Sequence, residues 1–116
     1  MKKKYRLLKN EDFKKVLDNH LGVSRETFKV FCKRNTLSHC RVGVSVSSKI
    51  GNSVIRHKIK RQIFNMIDKC VKLDDTFDFV IIVKSDYKNY TFNENYDILE
   101  KSIKYILKKG ATINEK

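Results

Sequence analysis

Two periods of apolar and polar residues divide this chain. Residues 27–34, TFKVFCKR, alternate with period two: Phe28, Val30 and Cys32 share one face, and Lys29, Phe31 and Lys33 share the other. Residues 41–47, RVGVSVS, repeat the pattern, with Val42, Val44 and Val46 directed inward. Their opposite face, Gly43, Ser45 and Ser47, is bare of bulk. The polar stretch Asn35 to His39 between the two runs predicts antiparallel neighbours. Residues 77–84, FDFVIIVK, show no alternation, which predicts a central strand covered on both faces.

The remaining apolar positions follow the helical period. Phe13, Val16 and Leu17 fall on one face, predicting a helix from Asn10 to about His20. Asn10 is its expected cap, Glu11 and Asp12 suit the first turn, and Gly22 should end it. A long helix is expected over about Asn52 to Val71, with Ile55, Ile59, Ile63, Met66 and Cys70 as the buried stripe. Thr91 and Glu94 have the spacing of a capping box ahead of a last helix. Its stripe is Tyr96, Leu99, Ile103, Ile106 and Leu107, and Gly110 should close it. The expected fold is α+β, a two-layer α–β sandwich in the order α-β-β-α-β-α. It forms one domain over 1–116 with an ordered core of about 5–110.

Charge changes the picture from a fold to a partner. Twenty-six basic residues face 13 acidic ones, a net charge of +13 on 116 residues. That excess points to a polyanion, nucleic acid first and an anionic membrane second. No apolar run approaches the roughly 20 residues needed to span a bilayer. Three cysteines, Cys32, Cys40 and Cys70, with no CxxC spacing and no export signal, predict free thiols in a reducing cytoplasm.

The charge is also placed. From Thr27 to Ile67 there is no Asp or Glu, yet Lys29, Lys33, Arg34, Arg41, Lys49, Arg56, Lys58, Lys60 and Arg61 lie there. The stretch KIGNSVIRHKIKRQIF, residues 49–64, concentrates five of them. On a helical wheel His57, Lys60 and Arg61 lie opposite the apolar stripe, with Lys58 beside them and Arg56 at its edge. A merely solvated face would mix both signs to gain i, i+4 pairs, and this face has no acid until Asp68. Phe64 falls among the basic residues, where a base or ribose could pack. The loop Lys49-Ile50-Gly51-Asn52 offers free N–H groups to a phosphate. Phe31, framed by two lysines, has two open readings. It is a stacking ring on an uncrowded sheet, or it lies beneath the first helix against Phe13 or Leu17.

Catalytic patterns are thin. GVSVS lacks the second glycine of a nucleophile elbow. His20, His39 and His57 have no metalloprotease spacing. Cys32, His39 and Cys40 read as buried thiols and a loop histidine sooner than as metal ligands. The basic region contains no acidic cluster for Mg²⁺. The chain is expected to bind and not to cut.

The ordered series of motifs resembles the protein subunit of bacterial ribonuclease P. It comprises Arg6-Leu7, the NEDF at 10–13, RVGVSVS, KIGNSVIRHKIKR, a strand with Asp78 near its start, and a C-terminal amphipathic helix. The likeness covers roughly residues 5–110. It implies a left-handed crossover through the basic helix, against the usual hand. It also implies a ribonucleoprotein whose RNA subunit uses Mg²⁺ to remove the 5′ leader of precursor tRNA. Lys49, Asn52, Arg56, His57, Lys58, Lys60 and Arg61 would form the RNA-binding motif, and Phe13, Leu17 and Phe31 would line a groove for the single-stranded leader. No protein residue would be catalytic, no metal would be held by the protein, and the subunit would be monomeric without RNA.

Departures from the family pattern are Ser48 for Lys, His57 for Asn, Lys58 for Arg, Phe64 for a basic residue, Leu17 for an aromatic and Phe31 for Tyr. Lys58 keeps charge but loses the bidentate fork of arginine. A general RNA-binding protein of similar shape and an autonomous nuclease are the competing expectations; the nuclease lacks an acid–base site.

Overall fold

A computed structural model of the chain describes residues 2–19, 21–72 and 74–114, with side chains to 109. His20, expected to end the first helix, lies outside the described residues. Among those described, the order is α1 (Asn10–Asp18), β1 (Gly22–Ser24), β2 (Phe28–Arg34), β3 (Arg41–Val46), α2 (Ser53–Cys70), β4 (Phe77–Val83) and α3 (Phe92–Asn114). Short 3₁₀ turns at Lys3–Tyr5 and Ser85–Asn89 precede α1 and α3.

The sheet order is β1-β2-β4-β3. The expectation that β2 and β3 are antiparallel neighbours is therefore wrong. β4 inserts between them, antiparallel to β2 from Phe28↔Val83 to Arg34↔Phe77 and parallel to β3 from Arg41↔Asp78 to Val46↔Val83. A strand without alternation is what this position demands, since both its faces are covered. β1, a three-residue strand absent from the sequence reading, adds an edge through Gly22↔Phe31.

Alternation decides the two faces. Phe28, Val30 and Cys32 of β2, Val42 of β3, and Phe79 and Ile81 of β4 point to one side, each fully buried. There they meet Ile59, Ile63, Met66 and Ile67 of α2 and Leu99, Ile103 and Ile106 of α3. Each such side chain contributes about 1.5–3 kcal/mol by leaving water. The stripe of α2 is turned from the one expected: Ile67 is buried, Ile55 is 39% exposed and Cys70 is half-buried. The helix leans toward α3 as well as the sheet, so its apolar face follows both neighbours.

On the opposite face α1 covers only part of the sheet. Val16, Leu7 and Val80 form a small second core with Phe13, Leu17, Phe31 and Ile82 around it. Arg41 pins the start of α1 here, bonding Asp78 at 2.7 Å and Asp12 at 3.3 Å. Asp78 accepts a further bond from Asn35 Nδ2 at 2.9 Å. The Asp78 bond is the main cause that raises the Arg41 guanidinium pKa above its ordinary value.

The ends of the helices correct three details. Asn10 is the first helical residue rather than the cap; Lys9 holds the cap position with no side-chain bond. Gly22 does not stop α1, which ends at Asp18, but enters β1. Gly110 does not close α3, whose backbone stays helical to Asn114. Its capping box forms as expected: Thr91 Oγ1 accepts from Glu94 N at 3.1 Å and Glu94 Oε1 from Thr91 N at 2.8 Å.

Candidate nucleic-acid interface

The exposed side of α2 starts from a well-formed cap. Asn52 Oδ1 accepts from Ile55 N at 3.0 Å, so this residue's carbonyl oxygen serves the helix and its NH₂ remains to donate outward. Lys49, His57, Lys58 and Arg61 are exposed, and Lys60 is half-buried. Arg56 is half-buried too, and its Nε is enclosed with no hydrogen-bond partner among the described residues. No acid lies on the helix before Asp68, so unit positive charges repeat along it within a Debye length of one another.

Phe64 has a neighbour that the helical wheel could not supply. The N-terminal strap runs beside β3, with Leu7 N bonded to Val42 O at 2.9 Å. This brings the Arg6 guanidinium over the Phe64 ring, 4.8 Å from its centroid. Phe64 is half-buried and packs against the main core on its inner side. It is thus partly a core residue and partly the base of a cationic platform.

Between this strap, α1, β3 and α2 lies a recess of about 440 Å³. Phe13 and Leu7 form its apolar wall, and His57, Lys60 and Arg61 form the basic one. Gly43 makes the floor possible: a Cβ there would stand 2.9 Å from Phe13 Cε1 and Cε2, well inside contact distance. The bare β3 face seen in the sequence is a seat for this ring.

A second, more open recess of about 370 Å³ flanks α1 at its other end, against Leu17, Gly22, Lys29 and Phe31. Phe31 lies across Gly22, whose added Cβ would be 2.7 Å from its Cε1. The reading that places Phe31 beneath α1 holds. The ring packs with the core beneath α1, and its rim borders the recess beside exposed Lys29. The uncrowded neighbour is Gly22 of β1, and not Gly43, Ser45 and Ser47 of β3.

The single groove expected from Phe13, Leu17 and Phe31 is divided: Phe13 lines the first recess, and Leu17 and Phe31 line the second. Of the basic residues, His57, Lys60 and Arg61 line the first recess, Lys58 faces the other flank of α2, and Lys49 precedes the helix. Phe13 is the point where the two sets adjoin. Arg6 and Leu7 were missed as lining residues because only the parallel contact of Arg6 with Val42 places the strap. Elsewhere, Cys32 and Cys40 are buried thiols pushed up to about 12 and about 11 by burial. His39 Nδ1 lies 2.9 Å from Cys40 O, and its ring stands edge-on to Tyr5. Among the described residues no three His, Cys, Asp or Glu side chains are grouped to hold a metal ion. No helix among them is long and apolar enough to cross a membrane.

Known proteins resemble this chain in sequence and fold. The family model described as Ribonuclease P matches residues 1–109. The ribonuclease P protein component of Macrococcus caseolyticus is 36% identical over 117 residues, spanning 100% of this chain and 98% of that protein. That of Listeria innocua is 37% identical over 120 residues, spanning 100% and 96%. A solved structure of a Staphylococcus aureus RNase P protein mutant aligns with a TM-score of 0.76 at 31% identity, covering 94% of this chain and 90% of that one. The chain belongs to the ribonuclease P protein family.

Proposed function

We propose that this chain is the protein subunit of ribonuclease P and binds two RNAs at once. The basic side of α2, with Lys49, Asn52, Arg56, His57, Lys58, Lys60 and Arg61, takes the catalytic RNA. The recesses on either side of α1, with Phe13, Leu17 and Phe31, take the single-stranded 5′ leader of precursor tRNA. The observation that carries this reading is the recess in which the Phe13 wall faces His57, Lys60 and Arg61. Its apolar wall suits stacking by an unpaired strand, and its basic wall sets the catalytic RNA directly beside that strand.

The chemistry belongs to the RNA on this reading. Mg²⁺ held by that RNA would supply charge neutralisation and Lewis-acid chemistry for phosphodiester hydrolysis. The segment Thr27 to Ile67 has no carboxylate to hold it, so the protein residues do not fit a Mg²⁺ site at the interface. The protein's part is to hold the leader and to lower repulsion between two polyanions, so that less Mg²⁺ is needed. It works in the cytoplasm, as a monomer until it meets RNA.

The test is to add the protein to a ribonuclease P RNA at low Mg²⁺ and follow cleavage of precursor tRNA. Faster cleavage, with tighter binding of leader-bearing than of mature tRNA, supports the proposal. Unchanged cleavage and equal binding of the two tRNAs would leave a general RNA-binding protein, and cleavage by purified protein alone would restore the nuclease reading.

A further inference from the structure

The opposite flank of α2 carries another recess, which shares no lining residue with the Phe13 groove. It lies between α2, the Ser85–Asn89 turn and the first turn of α3, and encloses about 320 Å³. Its floor is polar although buried. Tyr87, 5% exposed, donates its hydroxyl to Gln62 Oε1 at 2.7 Å, which leaves the Gln62 NH₂ to donate elsewhere. Asn95, 1% exposed, donates Nδ2 to Tyr87 O at 3.1 Å, and its Oδ1 is buried with no partner among the described residues. Gln62 and Asn95 both line the cleft, and among the described residues no protein group satisfies the Asn95 acceptor.

The walls and rim fit the same ligand. Phe92, 38% exposed, and Tyr90 present ring surface, and Ile55 opposes them from α2, 39% exposed. Lys58 and Lys88 stand at the rim; Lys88 Nζ uses one bond on Ile50 O at 2.7 Å and keeps two donors. A purely apolar partner would leave Asn95 Oδ1 unpaired and gain nothing from two lysines. A nucleotide combines a flat apolar ring, an edge bearing an N–H beside an acceptor, and a phosphate.

We infer that this cleft binds an unpaired nucleotide carrying an amino base, with the base against Phe92 and Tyr90, its amino edge toward Asn95 and Gln62, and its phosphate on Lys58 and Lys88. The inference rests on the RNA-binding reading for its source of nucleotide: an RNA lying on α2 would reach over the helix and insert one base on the far side.

The experiment is a titration of the isotope-labelled protein with adenosine monophosphate and with purine riboside monophosphate, which lacks the amino group, followed by NMR. Adenosine monophosphate should shift the side-chain amides of Gln62 and Asn95 saturably. The purine analogue and Phe92→Ala, an exposed position, should each weaken binding about tenfold. Equal affinity for both nucleotides, no effect of Phe92→Ala, or shifts confined to His57, Lys60 and Arg61 would overturn it. Concentration-dependent shifts of the cleft without nucleotide would assign it to a second copy of the chain instead. These results are read on protein alone, so they separate from stimulation of the catalytic RNA, whose failure would overturn the function and not the cleft.

Discussion

Gly43→Ala should destabilise this protein, although the usual expectation has the opposite sign. In a strand interior, alanine is favoured over glycine by roughly 0.5–1 kcal/mol, because glycine loses more backbone freedom on folding. Here the new methyl would stand 2.9 Å from two Phe13 ring carbons, with Cζ nearer still, where ordinary contact begins at 3.4 Å. The ring must retreat by about half an ångström or more, and overpacking of this kind costs about 1–3 kcal/mol. Phe13 cannot retreat alone, because Val16 on the next turn is fully buried and Arg41 ties Asp12 to the sheet. The net loss is about 0.5–2 kcal/mol, which for a chain of this size lowers Tm by roughly 2–8 °C. Thermal unfolding measures this directly, and binding of leader-bearing precursor tRNA should weaken alongside it. In a Phe13→Leu background the same substitution should become neutral or stabilising, since the clash is gone. If Gly43→Ala raises Tm in the parent, Phe13 does not sit on Gly43, and the Phe13 groove has a different shape.

Other outcomes follow from the same geometry. Phe31→Ala should weaken leader-bearing substrate by about 1–3 kcal/mol and leave mature tRNA binding within error; equal losses in a filter-binding comparison would confine Phe31 to the core under α1. With about four to six phosphates neutralised, the slope of log K against log salt should be roughly −3 to −5, and a flat dependence would contradict an electrostatic grip by α2. Cys32 is held protonated to about pH 12 by burial, against an ordinary value of 9.0. The unfolded thiol ionises first, so this contribution is intact below pH 9 and is lost as pH rises toward 12. Urea unfolding at pH 8 and pH 10.5 should show that loss, and Cys32→Ser or Cys32→Ala should reduce it.

What could be read from the chain was what local periodicity encodes. The faces of β2 and β3, the central character of β4, the capping box of α3 and the basic side of α2 all follow from spacing within a dozen residues. The neighbour of each strand does not. Two alternating runs joined by a short polar stretch look like a hairpin, and nothing in either run shows that β4 will enter between them. β1 is too short, at three residues, to carry a pattern. The stripe of α2 was misplaced because the helix packs against α3 as well as β3, and Ile67 is buried whereas Ile55 is 39% exposed. Phe64 looked misplaced because the residue that covers it, Arg6, is far away in sequence. The candidate groove shows the same division: Phe13 and Leu17 share a visible helical face, whereas the glycines beneath Phe13 and Phe31 gain meaning only once the strands are assembled.

The insertion of β4 between β2 and β3 also sets an order of events during synthesis. When a ribosome has released α1 to β3, neither long strand has its principal partner, and α2 must emerge before β4 can close the sheet. Every ladder bond of the central pairings spans a long stretch of chain, a topology that folds slowly compared with local hairpins. A nascent fragment ending before Phe77 would expose two unpaired strand edges beside a strongly cationic helix. Such a fragment is prone to aggregate, and a polyanion that engaged the helix early would shield the intermediate while the last strand arrives.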